Sequence, residues 1–224
     1  LALKAIFQIF ILIFKEKPKI LHLVSLKPII FGGLIPFFCH INLLVVSVTG
    51  LGSMFIKKNL IYNLRLRVIN FLYRLIFLNS NLAVILQNND DFKYLAKNAN
   101  LKKKKVKFIR GSGVNFKTFK YSKIPKKKMI ILMASRIIED KGVMEFLKAA
   151  KILKNKNFQG KFYLVGDFDK HNPSAIDRTV LDYFRRKKII TYFEHQKKIF
   201  NFIKKSTLVV LPSYREGFPK VLME

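Results

Sequence analysis

The sequence predicts an α/β protein built on parallel sheets, and three observations carry that prediction. From Ile20 to Leu211, short apolar β-branched runs alternate with longer amphipathic stretches, the pattern of strand–helix–strand units. Several of the runs are continuous rather than alternating. Leu-Val-Val-Leu at 208–211 is one, and it reads as a strand buried on both faces. Half of the 224 residues are hydrophobic, enough to bury a substantial core and to exclude intrinsic disorder.

The elements follow in order. Ala5–Phe14 is a short apolar stretch, and Lys19–Val24 is the first strand. Ile29–Val48 is apolar but broken by Gly32, Gly33, Pro36, His40 and Asn42, so it divides into helix, turn and the strand Leu43–Thr49. Strands at Ala83–Gln87 and Val106–Ile109 complete the first series. Asn115–Lys128 has no periodicity and carries Pro125 and a lysine cluster, so it reads as a linker. The boundary falls near residue 124, giving domains 1–124 and 125–224. The second series has strands at Met129–Ser135, Lys161–Val165, Ile189–Phe193 and Thr207–Leu211, with a helix from Val143 to Leu153. Helices fill most other gaps, and no fixed-period repeat is present. A spanning helix needs about 20 largely apolar residues, so neither early apolar stretch is read as one. The chain opens on Leu1 rather than methionine, and Glu224 falls inside an amphipathic helix, so both ends are read as cut.

Forty-three lysines and arginines against 13 acidic residues give a formal charge of +30, which points to an anionic partner: nucleic acid, a phospholipid surface or a phosphorylated substrate. Lysine far outnumbers arginine and accompanies abundant Asn, Ile and Phe, as an AT-rich coding bias also produces. The single cysteine, Cys39, excludes an internal disulfide and a Cys-rich metal site and suits a reducing compartment.

Two stretches carry chemistry. Ser-Arg-Ile-Ile-Glu-Asp-Lys-Gly-Val at 135–143 joins a strand end to a helix start, where α/β sheets bind ligands. Arg136 and Lys141 would flank a pyrophosphate there, arginine through paired hydrogen bonds and lysine as a compact charge, offsetting charge on a departing diphosphate. Two solvated charges around a helix cap is the competing reading. In Pro-Ser-Tyr-Arg-Glu-Gly-Phe-Pro-Lys-Val-Leu-Met-Glu at 212–224, Pro219 suits a first helical turn and Gly217 permits close backbone approach. Glu216 then sits in a loop and Glu224 on a helix. At about 1.5 Å rise per residue they lie roughly 12 Å apart, too far for an acid/base couple but within reach of two parts of one extended ligand; two solvated glutamates on a surface helix is the competing reading. Gly50 and Gly52 follow one strand and Gly111 and Gly113 another; such loops either aim amides at an anion or serve as plain tight turns. His22, at a strand position, is read as a packed or cleft-lining histidine rather than a general base. His40, His171 and His195 have no partners at metal-ligand spacing, so no metal site is expected.

Taken together, Arg-x4-Lys-Gly, Val-Gly-Asp at 165–167 and Pro-Ser-Tyr-x-Glu-Gly-Phe-Pro-x4-Glu resemble family 4 glycosyltransferases. The resemblance continues upstream in residues 18–28, 48–52, 86–91 and 111–115, strings similar to the bacterial enzymes that extend lipid-carried oligosaccharides. It implies the GT-B fold, two Rossmann-like domains with parallel sheets facing a cleft, both truncated here, and retaining sugar transfer. It implies that Arg136 and Lys141 contact the donor diphosphate, that Glu216 lies at the sugar and that Glu224 binds the ribose. Gly111, Gly113, Gly217 and Phe218 join them in lining the donor site. It implies a nucleotide-sugar co-substrate, most simply a UDP-sugar, with no cofactor and no metal, and a lipid-linked saccharide acceptor. The place implied is cytoplasmic, peripheral at the anionic inner face of the bacterial plasma membrane. Two departures stand out. The strand ending at Thr49 lacks the following histidine of some relatives, and Glu194 and His195 stand where many have glycine. The chain as it stands is expected not to turn over substrate alone. The rival class is a basic noncatalytic protein, either a nucleic-acid binder or a peripheral membrane scaffold. A nucleic-acid binder would concentrate its lysines with aromatics on one face, whereas here they are scattered, so no specific nucleic acid is expected.

Overall fold

The computed structural model describes residues 2–51, 60–111, 113–125, 129–169 and 172–224; Gly52 and His171 lie outside the described residues. The chain forms two units, Leu1–Ser112 with Glu216–Phe218, and Gly113–Arg215 with Pro219–Glu224.

In the first unit a helix α1 (Ala2–Glu16) precedes four parallel strands, β1 (Ile20–Val24), β2 (Leu43–Val48), β3 (Leu82–Leu86) and β4 (Val106–Phe108), in the spatial order β1-β2-β3-β4. The crossovers carry α2 (Leu26–Gly32), α3 (Leu60–Leu78) and α4 (Asn89–Ala99). Strand order follows chain order, each parallel strand lying beside the one before it. Leu44 and Val46 on β2 and Leu82, Val84 and Leu86 on β3 are buried together with Tyr73, Ile76 and Leu95 of the helices. Ile13 of α1 closes a smaller cluster with Ile35 and Ile41. The α4 boundaries are written in local chemistry. Asn88 Oδ1 accepts from the Asp91 backbone N–H at 2.7 Å at the start, and Asn100 at φ 56° supplies the left-handed stop. Among the described residues no helix is long and apolar enough to cross a membrane.

The second unit holds β5 (Ile130–Ala134), α5 (Val143–Asn155), β6 (Lys161–Val165), α6 (Arg178–Arg186), β7 (Thr191–Phe193), α7 (Phe200–Lys205), β8 (Leu208–Val209) and α8 (Lys220–Met223). The sheet is parallel in the order β7-β6-β5-β8. The chain therefore leaves β5 toward β6 and β7, then returns through α7 to the other side of β5. That reversal creates a switch point between β5 and β8, the place where loops leaving neighbouring strands diverge and open a crevice.

All eight expected strands are present. The expectation that 208–211 is buried on both faces is corrected: β8 lies at the sheet edge and Leu208 is 54% exposed. The run that is buried throughout is Ile130–Met133 of β5, flanked on both sides by strands. Apolar content alone does not report which strand stands at an edge.

Candidate functional site

The loop after β5 is held from beneath rather than left to solvent. Ile137 and Ile138 are buried to 0% and 1% exposure, and they bridge to Phe168 and Ala175. The Ile137 N–H donates to Asp167 O at 2.9 Å and the Glu139 N–H to Ser174 O at 2.8 Å. Arg136 and Lys141 are thus the two ends of a segment whose middle is core. Gly166 makes this possible from the β6 side. At φ 149° it is in glycine territory, and a Cβ there would run into the Ser135 carbonyl oxygen.

Arg136 is exposed, and its Nη1 sits 2.8 Å from Asp169 Oδ2. Asp169 is a partner that spacing did not reveal. It also accepts from Asn172 Nδ2 at 3.2 Å. Lys141 closes a tight turn, its N–H donating to Ile138 O at 3.2 Å, and Gly142 at φ 72° then launches α5.

The loop after β8 docks onto this turn. A Cβ on Gly142 would collide with the carbonyl oxygen of Pro212. Ser213 Oγ donates to Asp140 O at 3.1 Å, the Tyr214 N–H donates to the same oxygen at 3.1 Å, and Tyr214 Oη donates to Glu145 Oε1 at 2.6 Å. That last bond, first, and the charge of Glu145 behind it raise the Tyr214 pKa. The two sequence stretches therefore meet at the switch point, because β8 registers with β5 through Ile131↔Leu208 and Leu132↔Val209.

Glu224 ends the turn of α8, its carboxylate Oε1 3.3 Å from Lys220 Nζ and its side chain only 10% exposed. Glu216, Gly217 and Phe218 group with the first unit. There Asn88 Nδ2 donates to Gly217 O at 2.9 Å and to Glu216 O at 3.3 Å. A Cβ on Gly217 would meet Thr49 O at 2.5 Å, so the close approach expected of that glycine is made to the backbone that follows β2. Gly50 (φ 130°), Gly111 (φ 68°) and Gly113 (φ 75°) all use backbone that side-chain-bearing residues avoid. Gly113 has open space around it. His22, read as packed or cleft-lining, is exposed on β1 and not packed, its Nε2 2.8 Å from Ser47 Oγ. Among the described residues no group of three or more His, Cys, Asp or Glu side chains could hold a metal ion. The role of Asn88 and the Tyr214–Glu145 pair were not read from the sequence. The first had a usable signal, an asparagine directly after a strand and before a helix.

Comparison with known proteins agrees with the fold. Residues 114–224 match the family described as Glycosyl transferases group 1. Over 208 residues the chain is 32% identical to the N,N'-diacetylbacillosaminyl-diphospho-undecaprenol alpha-1,3-N-acetylgalactosaminyltransferase of Campylobacter jejuni, covering 87% of this chain and 52% of that protein. It is 23% identical to the capsular polysaccharide biosynthesis glycosyltransferase CapM of Staphylococcus aureus, covering 99% of this chain and 60% of the other. The chain thus spans between half and three-fifths of the length of these relatives. Among solved structures, sucrose-phosphate synthase from Thermosynechococcus elongatus superposes with a TM-score of 0.74 at 19% identity, covering 97% of this chain and 56% of the other. HepE of Anabaena in complex with UDP superposes with a TM-score of 0.70 at 16% identity, covering 96% and 58%. The two α/β units are those of the GT-B glycosyltransferase fold, and residues 114–224, which hold the β5–β8 switch point, match the group 1 glycosyl transferases.

Proposed function

We propose that this chain belongs to a retaining glycosyltransferase resembling family 4. The reaction moves a sugar from a nucleotide diphosphate donor, UDP being the simplest, to a hydroxyl of a lipid-linked saccharide during surface-glycan synthesis. The observation that carries the reading is the meeting of the Arg136–Gly142 turn and the Pro212–Tyr214 loop at the β5–β8 switch point. Arg136 and Lys141 come from that turn and take the diphosphate. Its negative charge grows as the glycosidic bond breaks, so fixed cations stabilise the transition state more than the ground state. The Arg136–Asp169 pair is exposed, and such pairs contribute about 0–1 kcal/mol, so the guanidinium exchanges onto a phosphate at little cost. Glu216 orients the sugar and Glu224 the ribose. No side-chain base is assigned; in this reading the leaving phosphate takes the acceptor proton. A lipid-carried acceptor also accounts for the +30 charge, which draws the protein to an anionic membrane surface as a peripheral protein. Support comes from the similarity to an enzyme named for an undecaprenol-linked substrate and to a structure that holds UDP.

Calorimetric titration with UDP tests the reading. Arg136→Ala and Lys141→Ala are each expected to weaken binding by about 1.5–3 kcal/mol, the range for hydrogen bonds to charged groups. Unchanged affinity in both variants removes the assignment.

A further inference from the structure

A second cation-rich site lies in the first unit, at the end of the sheet where β3 and β4 begin. A pocket of about 470 Å³ is lined there by Arg74, Lys102, Lys104 and Lys105, with Ser80 and Asn100. Leu82, the first residue of β3, also borders it, whereas Thr49, Gln87 and Asn88 leave the opposite, C-terminal ends of β2 and β3. The cations arrive from two directions: Arg74 from α3, and the lysines from the run that leads into β4.

Among the described residues lining the pocket there is no carboxylate. Lys105 is engaged, its Nζ donating to Phe77 O at 2.9 Å and to Asn79 O, carbonyls at the C-terminal end of α3. The ends of α3 and α4 both border the pocket and bring about half a negative charge each, well short of four cations. The Lys105 pKa is lowered, first by burial and then by repulsion from Lys102 and Lys104. Arg74, Lys102 and Lys104 are exposed. A planar guanidinium and two ammonium groups around a cavity of this size form a donor set that matches tetrahedral phosphate oxygens. An anion seated among them relieves their mutual repulsion.

We propose that this pocket binds a phosphate-bearing anion, as a site separate from the β5–β8 switch point. Its chemistry is shared by a soluble phosphate compound and a phospholipid headgroup, and two probes separate them. One is inorganic pyrophosphate, followed by calorimetry. The other is vesicles of phosphatidylcholine containing phosphatidylglycerol, followed by cosedimentation. Both are measured with Arg136→Ala and Lys141→Ala already in place, so that the outcome does not depend on the donor-site reading. Arg74→Ser, Lys102→Ser and Lys104→Ser together are compared with Lys15→Ser, Lys19→Ser and Lys27→Ser, exposed lysines elsewhere in the same unit that remove equal charge. Lys105 is kept because it caps α3.

The pocket variant is expected to weaken at least one probe by about tenfold or more, as loss of several charge-assisted contacts requires. The control is expected to lose less than about threefold, since diffuse surface charge is screened by salt. Loss confined to pyrophosphate assigns a soluble phosphate, and loss confined to vesicles assigns a headgroup. Equal losses in the pocket and control variants, or no binding of either probe by the unsubstituted pocket, overturns the proposal. Should the triple pocket variant fail to fold, Lys102→Gln with Lys104→Gln is judged by the same comparison.

Discussion

Gly142→Ala offers the sharpest test of how the two motif stretches are held together, because Gly113 supplies a matched control. Both glycines are left-handed, at φ 72° and φ 75°. Placing alanine in that conformation costs about 1 kcal/mol at either position. They differ in what a Cβ would meet: nothing within 4 Å at Gly113, but the backbone carbonyl of Pro212 at Gly142. Backbone cannot swing aside as a side chain does, so the Pro212–Tyr214 loop has to withdraw. Withdrawal takes away the two bonds to Asp140 O, from Ser213 Oγ and from the Tyr214 N–H. At about 1 kcal/mol each, Gly142→Ala should cost about 3 kcal/mol against about 1 for Gly113→Ala. Urea unfolding followed by circular dichroism, with equal m-values, reads the difference directly. Equal losses in the two variants would refute the docking of the 212–214 loop on the Lys141 turn.

Three further outcomes follow from the same geometry. Leu132→Ala, at a fully buried position of β5, should cost about 2–5 kcal/mol, while Leu208→Ala on the edge strand should cost about 1 or less; similar values would place β8 inside the sheet. Asn88→Ala should destabilise α4 by about 1 kcal/mol, with faster amide exchange at Asp91, and Asn88→Asp should not recover that stability: its carboxylate still accepts from the Asp91 N–H but replaces the amide that donates to Asp91 Oδ2 and to the Gly217 carbonyl. Tyr214 has a folded pKa above its ordinary 10.0, so its bond to Glu145 contributes fully below pH 10.0 and is lost as pH rises through the raised folded value. Tyr214→Phe should abolish that alkaline loss, read from unfolding midpoints across the alkaline range, and an unchanged profile would remove the bond to Glu145 as its cause.

The strands were legible because each is a short apolar run between polar turns, and a run such as Ile130–Met133 needs no partner to be recognised. Strand order was not legible. Nothing local in Leu208–Val209 says that the chain has crossed behind β5 to reach the far edge. The sequence marks Gly217 for close backbone approach but not its counterpart, the Thr49 carbonyl, and it does not single out Gly142, whose need lies in the Pro212 carbonyl, 70 positions away. Arg136 and Lys141 were named from a loop position at a strand end, yet Asp169 beside Arg136 depends on how the segment after β6 folds back. Tyr214 and Glu145 are 69 residues apart, so only the β5–β8 pairing reveals them as partners.

Loops after strands usually tolerate gain and loss of residues, because their middle faces water. The segment between Arg136 and Lys141 does not have that freedom, since its Ile137 and Ile138 are core residues tied to the backbone of Asp167, Phe168 and Ala175. Adding or removing one residue there would pull an isoleucine into solvent or rotate one of the two cations away from its direction. The four-residue interval between arginine and lysine is therefore a ruler set by packing. Descendants of this sequence can exchange side chains along the interval far more readily than they can change its length.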